Sequence, residues 1–228
     1  MTINHFLIDA GNVYLEADHF ITDSAVQRIY AKEKTTEEIS GIIHGPAEEE
    51  FSIGRITGEE YCRRIARQLG VKETEFCKTK IFKSFHNQHI TRINDRFMQD
   101  LEYIEHTYGA QNIAIVTLTH EWQTERENEL LLNSHTPYQT MEERFPERVF
   151  RTHLMGKSKK TVEFWKEVFE KTGYVPCKTL LVDDSQGNLD AARKYDPAIQ
   201  VFKYNELRPF EFSDFLKSRQ LNLNKNEW

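Results

Sequence analysis

Residues 5–13 read HFLIDAGNV, a short apolar run that stops at an aspartate and is followed by a turn sequence. The run from His5 to Ile8 is typical of a strand buried in a sheet, and glycine and asparagine directly after the aspartate are typical of a turn. Asp9 is therefore predicted at the carboxyl end of a buried strand.

Further apolar runs follow along the chain, and helical patterns separate them. Residues 97–108 and residues 162–169 carry apolar side chains at helical spacing, and a glycine ends each stripe. Apolar strands that alternate with helices predict an α/β fold, a doubly wound parallel sheet with helices on both faces. The predicted strands lie at residues 5–8, 113–116, 149–150, 180–182 and 199–202.

Residues 18–89 show a different pattern, in which helices are joined by polar connections. Thr35 with Glu38, and Thr57 with Glu60, have the spacing of a capping box at the start of a helix. We therefore expect an all-helical insert over residues 18–89. The predicted core comprises residues 1–17 and 90–217, and a polar tail over residues 218–228 is expected to be frayed.

Composition limits the classes of function. The formal net charge of −6 argues against a nucleic-acid binder, and no segment approaches the about 20 apolar residues of a membrane helix. The first residues lack the features of a secretion signal. The three cysteines form no CxxC arrangement, which is typical of reduced thiols. We expect a soluble, cytoplasmic protein that binds neither nucleic acid nor membranes.

Polar side chains follow three of the predicted strands. Asp9, Thr117 and the pair Asp183 and Asp184 stand where strands end, and parallel strands place their ligands at their carboxyl ends. Adjacent carboxylates repel unless a cation or hydrogen-bond donors offset their charge, and Mg²⁺ prefers such oxygen ligands. The alternative is that Asp184 or Ser185 caps the following helix.

These segments resemble the four motifs of haloacid dehalogenase-like (HAD) hydrolases. Residues 6–13 are similar to the first motif, a strand that ends in a nucleophilic aspartate, and residues 115–117 are similar to the second. Lys159 stands where the third motif has its lysine, with Lys157 and Lys160 as alternatives. Residues 182–185, together with Asn188, are similar to the fourth, acidic motif. The resemblance implies a Rossmann-like core, and it makes residues 18–89 a small helical cap.

The resemblance also implies a reaction. Asp9 would attack the phosphorus of a small phosphorylated metabolite and form an aspartyl-phosphate, which water then hydrolyses. Thr117 and Lys159 would bind the transferring phosphoryl group and stabilise its charge. A magnesium ion is implied, with Asp9, the Gly11 carbonyl oxygen, Asp184 and the supporting Asp183 as its protein ligands.

Two positions depart from the family pattern. Gly11 occupies the place of the usual general acid, two residues after the nucleophile, and Leu118 stands where asparagine is common beside the substrate. The missing acid indicates slow turnover or a leaving group that needs little protonation, such as an anomeric sugar phosphate. Glu16 and Asp18 are candidates for a replacement acid.

Other readings remain open. The departures at Gly11 and Leu118 fit a catalytically impaired phosphate-binding or protein-interaction module, and a metal-independent 2-haloacid dehalogenase is a further alternative. His86, His89 and His120 lack a metal-binding spacing such as HExxH, so we expect surface or partly buried residues with no role as ligands.

Overall fold

A five-stranded parallel sheet lies at the centre of the described part of the protein. The structure is a computed structural model that describes residues 2–77, 81–134 and 138–223. The strand order is β5-β4-β1-β6-β7, with all neighbours parallel. The strands are β1 (His5–Ile8), β2 (Leu15–Ala17), β3 (Ile90–Ile93), β4 (Ile113–Thr117), β5 (Val149–Arg151), β6 (Thr179–Asp183) and β7 (Gln200–Lys203).

Helices cover both faces of this sheet. The helices of the described residues are α1 (His19–Tyr30), α2 (Thr36–Ile43), α3 (Pro46–Ser52), α4 (Gly58–Leu69), α5 (Glu73–Phe76), α6 (Ile81–Gln88), α7 (Asp95–Tyr108), α8 (Glu121–Leu132), α9 (Met141–Arg144), α10 (Thr152–Met155), α11 (Val162–Thr172), α12 (Gln186–Tyr195) and α13 (Phe210–Leu223). The predicted doubly wound α/β architecture is confirmed.

The two faces of the sheet have separate apolar cores. In the central strand β1, Phe6 and Ile8 pack into one cluster with apolar residues of α7 and α13. Leu7 lies between them in sequence and packs into the opposite cluster, with residues of α11 and α12. Alternate residues of a strand point to opposite faces, so a strand that is buried on both faces must be apolar throughout.

Helices α1–α6 share an apolar cluster of their own, which includes Ile39, Tyr61 and Phe82 and is joined by Trp122 of α8. The capping box predicted at Thr35 is present, with both reciprocal hydrogen bonds to Glu38. At Thr57 the side chain accepts a hydrogen bond from the backbone N–H of Glu60, which is one half of the predicted motif.

A two-stranded antiparallel ribbon of β2 and β3 was not predicted from the sequence. The chain leaves this ribbon at Ala17, runs through helices α1–α6 and returns to it at Ile90. The backbone N–H of Asp18 donates to the carbonyl oxygen of His89 at 2.7 Å, which closes the base of the helical stretch. Strands of three and four residues give too short an alternation to stand out in the sequence.

Helix α13 continues to Leu223 and so extends into the segment that we expect to be frayed, residues 218–228. Residues 224–228 lie outside the described residues. Within the described ranges no helix combines the length and the apolar character needed to cross a bilayer.

A matched pair of substitutions tests the core. Leu181 of β6 is fully buried, whereas Leu154 of α10 is 74% exposed. We expect Leu181→Ala to lower the free energy of unfolding by about 2–5 kcal/mol, because it leaves a cavity between sheet and helices. Leu154→Ala should change it by less than about 0.5 kcal/mol. Urea denaturation measures both, and equal effects would contradict the assignment of the core.

Candidate active site

Asp9 lies directly after β1 and is almost completely buried. Its backbone N–H donates to the Val182 carbonyl oxygen at 2.9 Å, which continues the β1–β6 pairing by one residue. The chain then turns tightly, and Asn12 adopts a left-handed conformation with φ 51°. The Asn12 side chain donates to Asp184 Oδ2 at 3.0 Å. The turn therefore ties the end of β1 to the end of β6.

Lys159 is the cation at the centre of the site. Its fully buried Nζ lies 2.7 Å from Asp9 Oδ1 and 2.6 Å from Asp183 Oδ2, and it donates to the Val116 carbonyl oxygen at 2.9 Å. The carbonyl oxygen of Lys159 accepts from Trp165 Nε1 at 2.7 Å, which fixes the backbone. All three ammonium protons thus have acceptors.

The two alternative lysines lie elsewhere. Lys157 pairs with Glu167 of α11, and Lys160 Nζ lies 3.4 Å from Glu49 of α3. Lys160 lines the neighbouring cavity, but both lysines pair with these glutamates and not with Asp9. Of the three, the geometry favours Lys159 as the lysine of the site.

Asp183 and Asp184 are in different situations. Asp183 is fully buried, and besides Lys159 it accepts hydrogen bonds from the Ser185 backbone N–H at 2.9 Å and from Asn188 Nδ2 at 3.0 Å. Asp184 is partly exposed and accepts from Asn12. Asp183 is therefore saturated by protein donors, whereas Asp184 has oxygen lone pairs left for a cation.

The three carboxylates repel one another. Carboxylate oxygens of Asp9, Asp183 and Asp184 lie within 4.8 Å of one another. Burial, followed by the charge of Asp183, raises the pKa of Asp9 to about 8, and burial also raises the pKa of Asp184. Burial opposes the charge of Lys159, but Asp183 and Asp9 outweigh it and raise the pKa of the ammonium. One ammonium does not balance three carboxylates, so the donor set fits a hard divalent cation.

Asp9 and Asp184 line a cavity of about 870 Å³. The carboxyl ends of the central strands form one side of it, through Asp9, Gly11, Thr117 and Asp184, and helix α3 contributes to the other. Thr117 is buried, whereas Leu118 is 41% exposed and also lines the cavity. The cavity thus brings together side chains from β1, β4, β6 and the helical stretch.

The candidate replacement acids have other partners. Glu16 accepts a hydrogen bond from Arg92 Nε at 2.7 Å across the ribbon, and Asp18 caps α1 by accepting from the Phe20 backbone N–H at 3.0 Å. Neither belongs to the described lining of the cavity. The structure gives both acids structural partners and leaves the prediction of a replacement acid without geometric support.

Two features of the site were missed or misjudged from sequence. Glu127 of α8 lines the cavity although it is buried, and it pairs with Arg151 at 2.6 Å and accepts from the Tyr14 hydroxyl at 2.5 Å. The expected surface or partly buried position of His86, His89 and His120 was wrong, because their side chains are only 0–1% exposed. The burial of these three histidines depends on how α6 packs against α8, and this packing cannot be seen in the local sequence around them.

Denaturation in EDTA tests the protonation of Asp9. Its pKa is 3.8 ordinarily and about 8 in the fold, so between these values the folded chain holds a proton that the unfolded chain has released. This contribution lowers stability as pH rises. Asn is neutral throughout, so we expect the stability of Asp9→Asn relative to the parent to increase from pH 5 to pH 8. The buried histidines titrate in both proteins, so their contribution cancels when the free energy of unfolding of the parent is subtracted from that of Asp9→Asn.

The control is Asp214→Asn, which changes an exposed acid on α13. Its stability relative to the parent should stay constant over the same range. A difference between parent and Asp9→Asn that does not change with pH would contradict the raised pKa of Asp9.

Comparisons with known proteins agree with this geometry at the level of the fold. No family model and no curated protein matches the chain. A predicted HAD-like family hydrolase from Porphyromonas gingivalis superposes with a TM-score of 0.75 at 16% identity, over 95% of this chain and 98% of that chain. The HAD family enzyme BT-2542 from Bacteroides thetaiotaomicron gives 0.70 at 19% identity, over 90% and 95%.

The second of these enzymes has also been crystallised with magnesium and inorganic phosphate. An L-2-haloacid dehalogenase from Xanthobacter autotrophicus superposes less well, with a TM-score of 0.57 at 16% identity, over 88% of this chain and 76% of that chain. Superpositions of this extent establish a common architecture. By its fold, this chain is similar to the haloacid dehalogenase-like structures of these comparisons.

Proposed function

We propose that the protein is a magnesium-dependent phosphatase that hydrolyses a small phosphorylated metabolite through an aspartyl-phosphate. The observation that carries this proposal is the position of Asp9, which lies against the buried ammonium of Lys159 and beside Asp184 at the edge of a cavity. A nucleophilic carboxylate can approach a phosphate ester only where positive charge offsets the repulsion between them.

Each side chain has a task in the proposed reaction. Asp9 attacks phosphorus, and the bond from phosphorus to the leaving oxygen breaks. Lys159 holds the carboxylate of Asp9 in place and stabilises the developing charge, while the Thr117 hydroxyl donates to a phosphoryl oxygen. Asp9, Asp184 and the Gly11 carbonyl oxygen would hold Mg²⁺, which when bound neutralises charge between nucleophile and ester. Asp183 orients Lys159 through the contact between its carboxylate and the ammonium group.

Residues 18–89, which contain helices α1–α6, are proposed as the cap that selects the substrate. Helix α3 places Glu48, Glu49 and Glu50 along the cavity, and Arg55 follows close behind. Polar side chains of both charges suit a polyhydroxylated metabolite such as a sugar phosphate.

Two alternatives remain for comparison. The dehalogenase in the same fold family makes a carbon–halogen hydrolase a second candidate, but the cluster of Asp9, Asp183 and Asp184 is a feature that a metal-independent reaction does not need. A non-catalytic module would not need a nucleophile held by a buried lysine. A phosphatase releases phosphate from a phosphate ester, a dehalogenase releases halide from a haloacid, and a non-catalytic module releases neither.

Phosphate release is the direct test of the proposed reaction. We expect the purified chain to hydrolyse an aryl phosphate with Mg²⁺ and to lose this activity in EDTA. Asp9→Asn should reduce turnover by about three orders of magnitude or more, because it removes the nucleophile. Asp214→Asn serves as a control at an exposed carboxyl and should leave turnover unchanged. Halide release from a 2-haloacid without metal, or equal activity of Asp9→Asn, would contradict the proposal.

Gly11 offers a test of the missing general acid. A Cβ built on Gly11 meets no atom within 4 Å, and the residue does not need a left-handed backbone, so a side chain fits there. We expect Gly11→Asp to raise turnover of alkyl phosphates by about 10²-fold while changing that of an aryl phosphate much less, because the poorer leaving group needs protonation. Gly11→Asn, of equal size but unable to donate an acid proton, should show no such selective gain.

A further inference from the structure

A second cluster of potential metal ligands lies inside the protein, away from the carboxylates around Asp9. It consists of Glu48 of α3, His86 of α6 and His120, which precedes α8. One potential ligand atom from each residue lies within 4.8 Å of the others, and both imidazoles are fully buried. We propose that Glu48, His86 and His120 bind a divalent transition-metal ion of the zinc class.

The ring nitrogens of the two histidines support this proposal. Within the described residues, both ring nitrogens of His86 and the Nε2 of His120 are buried without a hydrogen-bond partner. The Nε2 of His86 lies 3.3 Å from Glu48 Oε1, without the alignment of a hydrogen bond. Buried polar atoms without partners are costly. Two ligands of one tetrahedral zinc ion stand about 3.3 Å apart, so a shared ion would satisfy these atoms.

The ligand chemistry distinguishes this cluster from the proposed magnesium site. Two imidazoles with one carboxylate form a set that zinc uses in enzymes, whereas magnesium prefers oxygen ligands alone. Within the described part of the chain, the Nε2 of His120 is buried and accepts no hydrogen bond, so this nitrogen is open to a metal ion. The cluster therefore selects a softer cation than the carboxylates around Asp9.

Residues behind Glu48 hold it in place. The Nδ1 of His44 lies 3.0 Å from Glu48 Oε2, and the Nε2 of His44 lies 3.2 Å from Asp23 Oδ1. The His44 ring thus lies between the carboxylates of Asp23 and Glu48. Such outer partners orient metal ligands in known sites.

Metal binding requires one local change. The backbone N–H of Gln123 donates to Nδ1 of His120 over a long 3.4 Å, as part of the cap at the start of α8. A metal on Nε2 requires the proton on Nδ1, so this contact would be lost. The exchange replaces a long hydrogen bond with a coordinate bond, and it links helices α3 and α6 to the beginning of α8.

The cluster is also connected to the cavity. Glu48 lines the same cavity as Asp9, whereas His86 and His120 lie behind it. Three protein ligands leave a fourth position of a tetrahedral ion for water or for a donor atom of the substrate. The proposed ion thus joins the helical stretch to the core beside the substrate space, whether or not the protein proves to be a phosphatase.

Zinc binding tests this inference. The full chain carrying Asp184→Asn, which weakens the other site, is stripped of metal and titrated with Zn²⁺ in calorimetry and equilibrium dialysis. We expect one Zn²⁺ per chain and a higher thermal unfolding midpoint. Adding His120→Asn should weaken binding at least about 100-fold and remove the thermal shift, while asparagine still caps α8. His106→Asn, at an exposed histidine of α7, is the matched control.

Co²⁺ provides a spectroscopic readout of the ligands at the site. Bound in place of zinc at the same Asp184→Asn chain, it should give the intense visible absorption of a tetrahedral site with nitrogen ligands. Absence of Zn²⁺ binding, or binding and absorption that His120→Asn leaves unchanged while circular dichroism shows a native fold, would overturn the proposal. In that case the cluster is a packed group of buried side chains that binds no metal.

Discussion

The buried ammonium of Lys159 is the interaction on which the rest of the site depends. It contacts Asp9 at the end of β1, Asp183 at the end of β6 and the carbonyl oxygen of Val116 in β4, so one cation connects three central strands. Without a cation at this place the buried carboxylates of Asp9 and Asp183 would lie side by side without a compensating charge. Conversely, a buried lysine is stable only with such partners. The strand ends and the lysine therefore constrain each other.

The remaining imbalance of charge gives the site its chemical character. Asp183 is saturated by Lys159, Ser185 and Asn188, which leaves Asp9 and Asp184 facing the cavity. The carboxylate oxygens of Asp9 and Asp184 are hard ligands, whereas His86 and His120 offer imidazole nitrogens. The two clusters differ in the cations that they favour because oxygen and nitrogen donors differ in softness. The carboxylate cluster lines the cavity through Asp9, and the histidine cluster lines the same cavity through Glu48.

Most of the sheet follows from local sequence. Segments such as residues 113–116 and 180–182 are apolar at every position, and this pattern is typical of strands that are buried on both faces. Capping residues such as Thr35 mark helix starts by chemistry that acts within four residues. The ribbon of β2 and β3 was missed because its pairing joins segments more than 70 residues apart. Helix α13 extended further than its polar sequence indicated.

For the site, the sequence by itself determined which residues stand at strand ends: Asp9, Thr117 and the pair Asp183 and Asp184. Parallel pairing brings such ends to one edge whatever the distance along the chain. Only the tertiary structure decided that Lys159, and neither of its lysine neighbours, reaches the carboxylates, since this depends on the path of the loop before α11. It also decided the burial of the histidine cluster. Contacts between helices remote in sequence leave no local pattern, because they arise from packing.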